Sequence, residues 1–127
     1  MDGISPTNQG VNEISSTDET MNKPTSEELD LLHANVCLAL SEPVRIHILY
    51  ALHERPLHVS ALAETLDLPQ PTISRHLRVL RQRSLVLTER DGTTITYRLA
   101  DPRLVEALEI MRHILRDALA RQTSVLA

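Results

Sequence analysis

From about residue 25 onward the apolar positions fall into blocks with two different periods. Leu29, Leu32, Val36 and Leu40 recur at three- and four-residue spacing. This predicts a first helix, opened by Thr25 and Glu28 in capping-box spacing and ended before Pro43. A second helix, about Pro43–His53, carries Val44, Ile48 and Leu52 on one face. Pro56 breaks the pattern, and His58–Leu66 reads as a short third helix with Leu62 and Leu66 inward. Asp67-Leu68-Pro69 makes a tight connection. The fourth helix, about Gln70–Arg83, has the core stripe Ile73, Leu77 and Leu80. The period then drops to two. Leu85–Arg90 and Thr94–Leu99 read as strands, joined through Asp91-Gly92, a strong hairpin signal. Pro102 opens a last helix, about 102–121, striped by Leu104, Leu108, Met111, Leu115 and Leu119. Four helices, a hairpin and a helix make a mainly α chain with a small β-hairpin wing, the order of a winged helix-turn-helix.

The boundaries follow from the same pattern. Residues 25–121 form one domain, and residues 122–127 are expected to be a flexible C-terminus. Residues 1–24, rich in Ser, Thr, Asn, Asp and Glu and without periodicity, are expected to be a disordered acidic tail. Such a tail is either a solvated appendage or, through its charge, an inhibitor of nucleic-acid binding.

Composition narrows the class. The chain has 127 residues, 42% of them apolar, but no Phe, no Trp and only two Tyr, so leucine must carry the core. No apolar run approaches the ~20 residues that span a bilayer. The N-terminus lacks a basic start followed by an apolar segment, so it does not read as a secretory signal. A single cysteine, Cys37, excludes an intrachain disulfide framework and suits the cytoplasm. There is no Gly-rich phosphate loop and no usable nucleophile–base pair, which argues against an enzyme, and no cofactor is implied.

The net charge of −4 is unexpected beside an arginine-rich helix, and its distribution resolves the conflict. Residues 1–30 hold seven acids against Lys23 alone, whereas residues 70–98 hold six arginines against two acids. With Ile73, Leu77 and Leu80 turned inward, the opposite face of the fourth helix shows Pro71, Ser74, Arg75, Arg78 and Gln82. Thr72 lies beside them, and Gln70 is in the first turn. This face suits the DNA major groove, where the first residues of such a helix meet base edges. Gln pairs with adenine and Arg with guanine. Arg78, Arg81 and Arg83 are better placed for phosphates. Arg90, Thr93 and Thr94, at the hairpin tip, could reach the backbone or an adjacent minor groove.

The stretches LALSEPVRIHILYAL, LAETLDLPQPTISRHLRVLRQRSLV and TERDGTTITYRL together resemble the ArsR/SmtB family of bacterial winged-helix repressors, over roughly residues 29–118. The resemblance implies a homodimer built from the first and last helices. Each recognition helix then lies on one half-site of an inverted-repeat operator in double-stranded DNA, and an inducer releases the protein. It also implies groove-facing roles for Gln70, Pro71, Ser74 and Arg75, in agreement with the helical wheel. Three positions depart from the family pattern. Asp67 and Ser84 stand where Gly is common, and Pro69 replaces the usual cap.

The family's metal sites are not matched. LHVSALAE has no cysteine where one site would begin. The four positions of the other fall on Asp101, Arg103, Ile114 and Asp117, two of which cannot bind a metal. No complete metal site remains. Cys37 is the remaining sensor candidate, with His33 four residues earlier as a second donor. Burial of Cys37 as a small apolar filler is the expectation it competes with. The alternative to a repressor is a winged-helix protein-interaction module that does not bind DNA.

Overall fold

In a computed structural model the structure describes residues 22–126. Most of the acidic tail therefore lies outside the described residues. The chain divides into two compact units after Leu32.

The described part of the first unit holds helix α1, Ser26–Leu32. Thr25 caps it, its hydroxyl accepting from the Glu28 amide at 3.0 Å, as the capping-box spacing predicts.

The second unit opens with irregular helical turns. His33–Cys37 is π-helical, with the Leu38 amide donating to the His33 carbonyl at 2.9 Å, and Ala39–Ser41 is a 3-10 turn. The single helix expected up to Pro43 is thus three short pieces. Helix α2, Pro43–Glu54, starts with proline in its first turn, where a missing amide costs nothing. A two-residue strand, β1 (Leu57–His58), precedes α3, Val59–Leu66. His58 caps α3, its Nδ1 accepting from the Ala61 amide at 3.1 Å. Helix α4, Gln70–Gln82, follows a three-residue turn. Strands β2 (Val86–Asp91) and β3 (Thr94–Leu99) form the hairpin, and α5 runs Arg103–Leu126. That is five residues beyond the expected end of the last helix.

The sheet is antiparallel, ordered β1-β3-β2. Val86 pairs with Leu99 at one end of the hairpin and Asp91 with Thr94 at the other, while Leu57 of β1 faces Tyr97. The third strand escaped the sequence reading because two residues cannot show a period. At the hairpin turn Gly92 takes φ of +65°, where any other residue would be strained.

The core is aliphatic. Ile48 and Leu49 of α2, Leu62 of α3, and Ile73, Leu77 and Leu80 of α4 are fully buried. Leu52, Ala63, Val86, Val105 and Leu108 complete it, together with Ala39 of the 3-10 turn. Among the described residues no polar side chain is buried.

Both helices of the helix-turn-helix end the same way. Leu68 donates to Ala63 at 3.0 Å and Asp67 to Glu64 at 3.3 Å; Leu85 donates to Leu80 at 2.9 Å and Ser84 to Arg81 at 3.0 Å. These crossed bonds are Schellman closures, which require a left-handed residue between helix and exit. Asp67 (φ 56°) and Ser84 (φ 63°) fill that place, at the two positions where the family pattern favours Gly. The residues after them, Leu68 and Leu85, pack on the core and lock each exit.

Candidate nucleic-acid interface

Helix α4 owes its orientation to its inward stripe. Ile73, Leu77 and Leu80 have no exposed surface, so a large roll of the helix would open the core. The face opposite is set by that fact. Gln70, Pro71, Ser74, Arg75 and Arg78 are exposed, and Thr72 is half-buried. Gln82 and Arg81 continue the exposed surface, with Arg83 just past the helix end. The first turn is closed by backbone alone: the Thr72 and Ile73 amides donate to the Pro69 carbonyl at 3.0 and 3.1 Å, with no side-chain cap. Gln70 is therefore not consumed as a cap.

Among the described residues the arginines of this surface join no ion pair. The ion pairs among those residues lie at the start of α5 and along it, Asp101 with Arg103 at 2.7 Å and Glu109 with Arg112 at 2.6 Å. Arg75, Arg78, Arg81, Arg83 and Arg90 join neither. At the hairpin tip Arg90, Asp91, Gly92, Thr93 and Thr94 are all exposed. The hairpin is tied to the end of α4 by the Ala100 amide, which donates to the Leu85 carbonyl at 3.1 Å.

His76 has a partner that spacing could not show. Its Nδ1 accepts from the Arg45 guanidinium at 3.2 Å, across 31 residues of sequence. Burial, then the charges of Arg45 and Arg75, hold this imidazole below the usual histidine range, against a smaller opposing effect of Glu42. A second long-range tie joins α2 to α5. Tyr50 donates to Glu109 at 2.5 Å, and Arg112 donates to the same oxygen at 2.6 Å. Burial and the bond to Glu109 push the Tyr50 phenol up, while the bonds from Tyr50 and Arg112 hold Glu109 down.

Cys37 is exposed, which overturns the expectation of a buried filler. Cys37 ends the π-helical turn His33–Cys37, which interrupts the single regular helix expected here. It borders an apolar cavity of about 440 Å³ whose other walls include Leu40, Ile46, Tyr50, Leu108 and Met111. His33, at the other end of the same turn, is also exposed. Among the described residues no three potential metal ligands cluster. Asp101 instead caps α5, accepting from the Arg103 amide at 2.9 Å and from its guanidinium.

The stripe expected along α5 divides in two. Leu108 is buried and Leu104 half-buried, with Val105 beside them in the core. Met111, Leu115 and Leu119 are about half exposed, and Ile110 and Ile114 more so. No helix among the described residues is long and apolar enough to cross a membrane.

A short helix, a three-residue turn, a second helix with an outward polar face and a hairpin behind it define a winged helix-turn-helix protein. Residues 42–87 match the family described as bacterial regulatory protein, arsR family. The chain is 35% identical over 102 residues to Rv0081 of Mycobacterium tuberculosis, an HTH-type transcriptional regulator, covering 80% of this chain and 90% of that one. It belongs to the ArsR family. The crystal structure of Rv0081 superposes with a TM-score of 0.68, covering 77% of this chain and 99% of that one. The regulator KmtR of the same organism is 41% identical over 76 residues, covering 60% of this chain and 58% of KmtR, so the chain spans less than two thirds of that relative. The solution structure of the homodimeric winged helix-turn-helix DNA-binding domain Mb0332 of Mycobacterium bovis is 26% identical, with a TM-score of 0.65 over 80% of this chain and 95% of that one.

Proposed function

We propose that this chain is a sequence-specific DNA-binding transcriptional repressor that works as a homodimer in the cytoplasm. The observation that carries the reading is the exposed face of α4, whose arginines join no ion pair among the described residues. Gln70, Ser74 and Arg75 stand on a helix held by three fully buried residues. Gln70 and Arg75 read base edges, Pro71, Thr72 and Ser74 line the contact, and Arg78 grips phosphate. Arg90 and Thr93 bring the wing to the backbone or an adjacent minor groove. The exposed apolar residues of α5, Met111, Leu115 and Leu119 of the stripe with Ile110 and Ile114 beside them, join two copies, together with the first helix, whose Leu29, Leu31 and Leu32 are about half exposed. The operator is then an inverted repeat with half-sites about one helical turn, ~34 Å, apart.

Selection from a random duplex library, followed by gel-shift titration, tests the reading. Arg75→Ala should lose about 1–3 kcal/mol on the selected site and relax one base position. Arg78→Ala should weaken all sequences alike and lower the salt dependence. Unchanged affinity in Arg75→Ala removes that residue from base reading. Failure of the wild-type protein to bind any duplex at low salt would replace the repressor with a winged-helix protein-interaction module.

Cys37, the single thiol and exposed, is the candidate for the release signal, with His33 as the second donor if a metal is the signal. Titrating the complex with zinc, cadmium, arsenite, peroxide and polysulfide, beside Cys37→Ser, checks this. A complex that survives every agent, or that responds equally in both proteins, ends the role of Cys37.

A further inference from the structure

Base reading asks more of α4 than the core provides. Apolar contacts are non-directional, and leucine and isoleucine repack at small cost, so an aliphatic stripe tolerates slight rolling. A bidentate contact to a base tolerates a misplacement of about 0.5 Å at most. A directional tie between α4 and the rest of the domain therefore has a job to do, and among the described residues the Arg45–His76 bond is the polar side-chain tie that reaches this helix.

Arg45 is built as a three-way clamp. Its Nε donates to the Ala39 carbonyl at 2.6 Å, its Nη2 to the Leu38 carbonyl at 3.2 Å, and its Nη1 to His76 Nδ1 at 3.2 Å. The first two contacts fix the guanidinium plane on the 3-10 turn, in a fork only arginine supplies. The third aims at α4. A guanidinium has no acceptor, so the bond exists only while His76 Nδ1 carries a lone pair, that is, in the neutral Nε2–H form. The groups facing His76 agree: Arg45 from α2 and Arg75 from its own helix disfavour a second proton, and Glu42 at the start of α2 only partly opposes them. His76 lies between Arg75, on the reading face, and Leu77, in the core.

We infer that Arg45 is a positioning residue for DNA recognition: it sets the roll of α4 by donating to neutral His76 from a base fixed on the Leu38 and Ala39 carbonyls. The inference rests on the repressor reading. Acidification that protonates His76 breaks the tie and loosens specificity, while the extra charge does not lower non-specific binding.

The test measures the ratio of affinity for the library-selected duplex to that for a scrambled duplex, against pH, in the full chain. The ratio cancels the general electrostatic effect of an added proton. In the wild type it should fall as pH drops below the ordinary histidine range. Arg45→Ala should lower it about tenfold or more at neutral pH, the worth of one charge-assisted hydrogen bond, and leave it insensitive to acid. His76→Leu should match Arg45→Ala, and the double variant should be no worse than either. His76→Gln, whose amide oxygen accepts but does not titrate, should keep the ratio and abolish its pH dependence. Nitrogen NMR of the free protein should show His76 as the Nε2–H form, titrating higher in Arg45→Ala. A wild-type ratio in both Arg45→Ala and His76→Leu, additive losses, or an unchanged His76 titration in Arg45→Ala overturns the inference. If the wild type selects no sequence while NMR still shows the tie, the repressor reading has failed, and the positioning role fails with it.

Discussion

Replacing Ile114 with alanine tests the interface that the repressor reading requires. Ile114 is 59% exposed on α5, beside Ile110 at 62%, an amount of aliphatic surface that a helix rarely leaves in water. Full burial of such a side chain is worth roughly 1.5–3 kcal/mol. More than half of that surface is open in the single chain, so a partner copy can recover about 1–2 kcal/mol at this position. A two-fold interface uses each position twice. The dimer should therefore lose about 2–4 kcal/mol, a rise of roughly 30- to 1000-fold in its dissociation constant. Alanine is the better helix former, so α5 itself is not weakened. Sedimentation equilibrium over a concentration series reads the constant. Leu87→Ala, an exposed leucine on β2 (39%), serves as the control and should leave it unchanged. Dimerisation at wild-type strength in both Ile114→Ala and Ile114→Asp would refute the assignment of this face.

Three further outcomes follow from the packing and the caps. Leu77→Ala, at a site with no exposed surface, should lose about 2–5 kcal/mol in denaturant unfolding, and DNA binding should fall with the folded fraction. Ser84→Gly relieves a left-handed residue at φ 63° and should raise stability by about 0.5–1 kcal/mol in the same assay; a loss would show that the Ser84 side chain is needed. The bonds from the Arg103 side chain and amide lower the Asp101 carboxyl from 3.8 to about 2. A depressed carboxyl stabilises the fold fully above its ordinary value and loses that effect as pH falls through the lower one. The thermal midpoints of the wild type and Asp101→Ala should therefore differ at neutral pH and converge between pH 3.8 and about 2; a constant gap would contradict the cap.

Much of the fold is legible in the chain because its signals are local. The stripe Ile73, Leu77 and Leu80 predicts a helix, its inward face and, by subtraction, its outward one, and all three residues are fully buried. Asp91-Gly92 places the hairpin turn, and Gly92 takes the left-handed conformation there. The exposure of Gln70, Ser74, Arg75 and Arg78 follows from the same period.

The tertiary structure decided what periodicity cannot carry. Met111 and Leu115 share a stripe with Leu108, yet of the three only Leu108 is in the core. Leu49 and Val105, off the expected faces, are buried as well. Cys37 is exposed at the end of the π-helical turn His33–Cys37, a departure from the expected regular helix that has no residue signature. The bonds from Arg45 to His76 and from Tyr50 to Glu109 span 31 and 59 residues. Helical and strand periods come from interactions within a few residues, so they can be read along the chain. A partner that distant is chosen by the packing of whole elements, which only the folded chain decides.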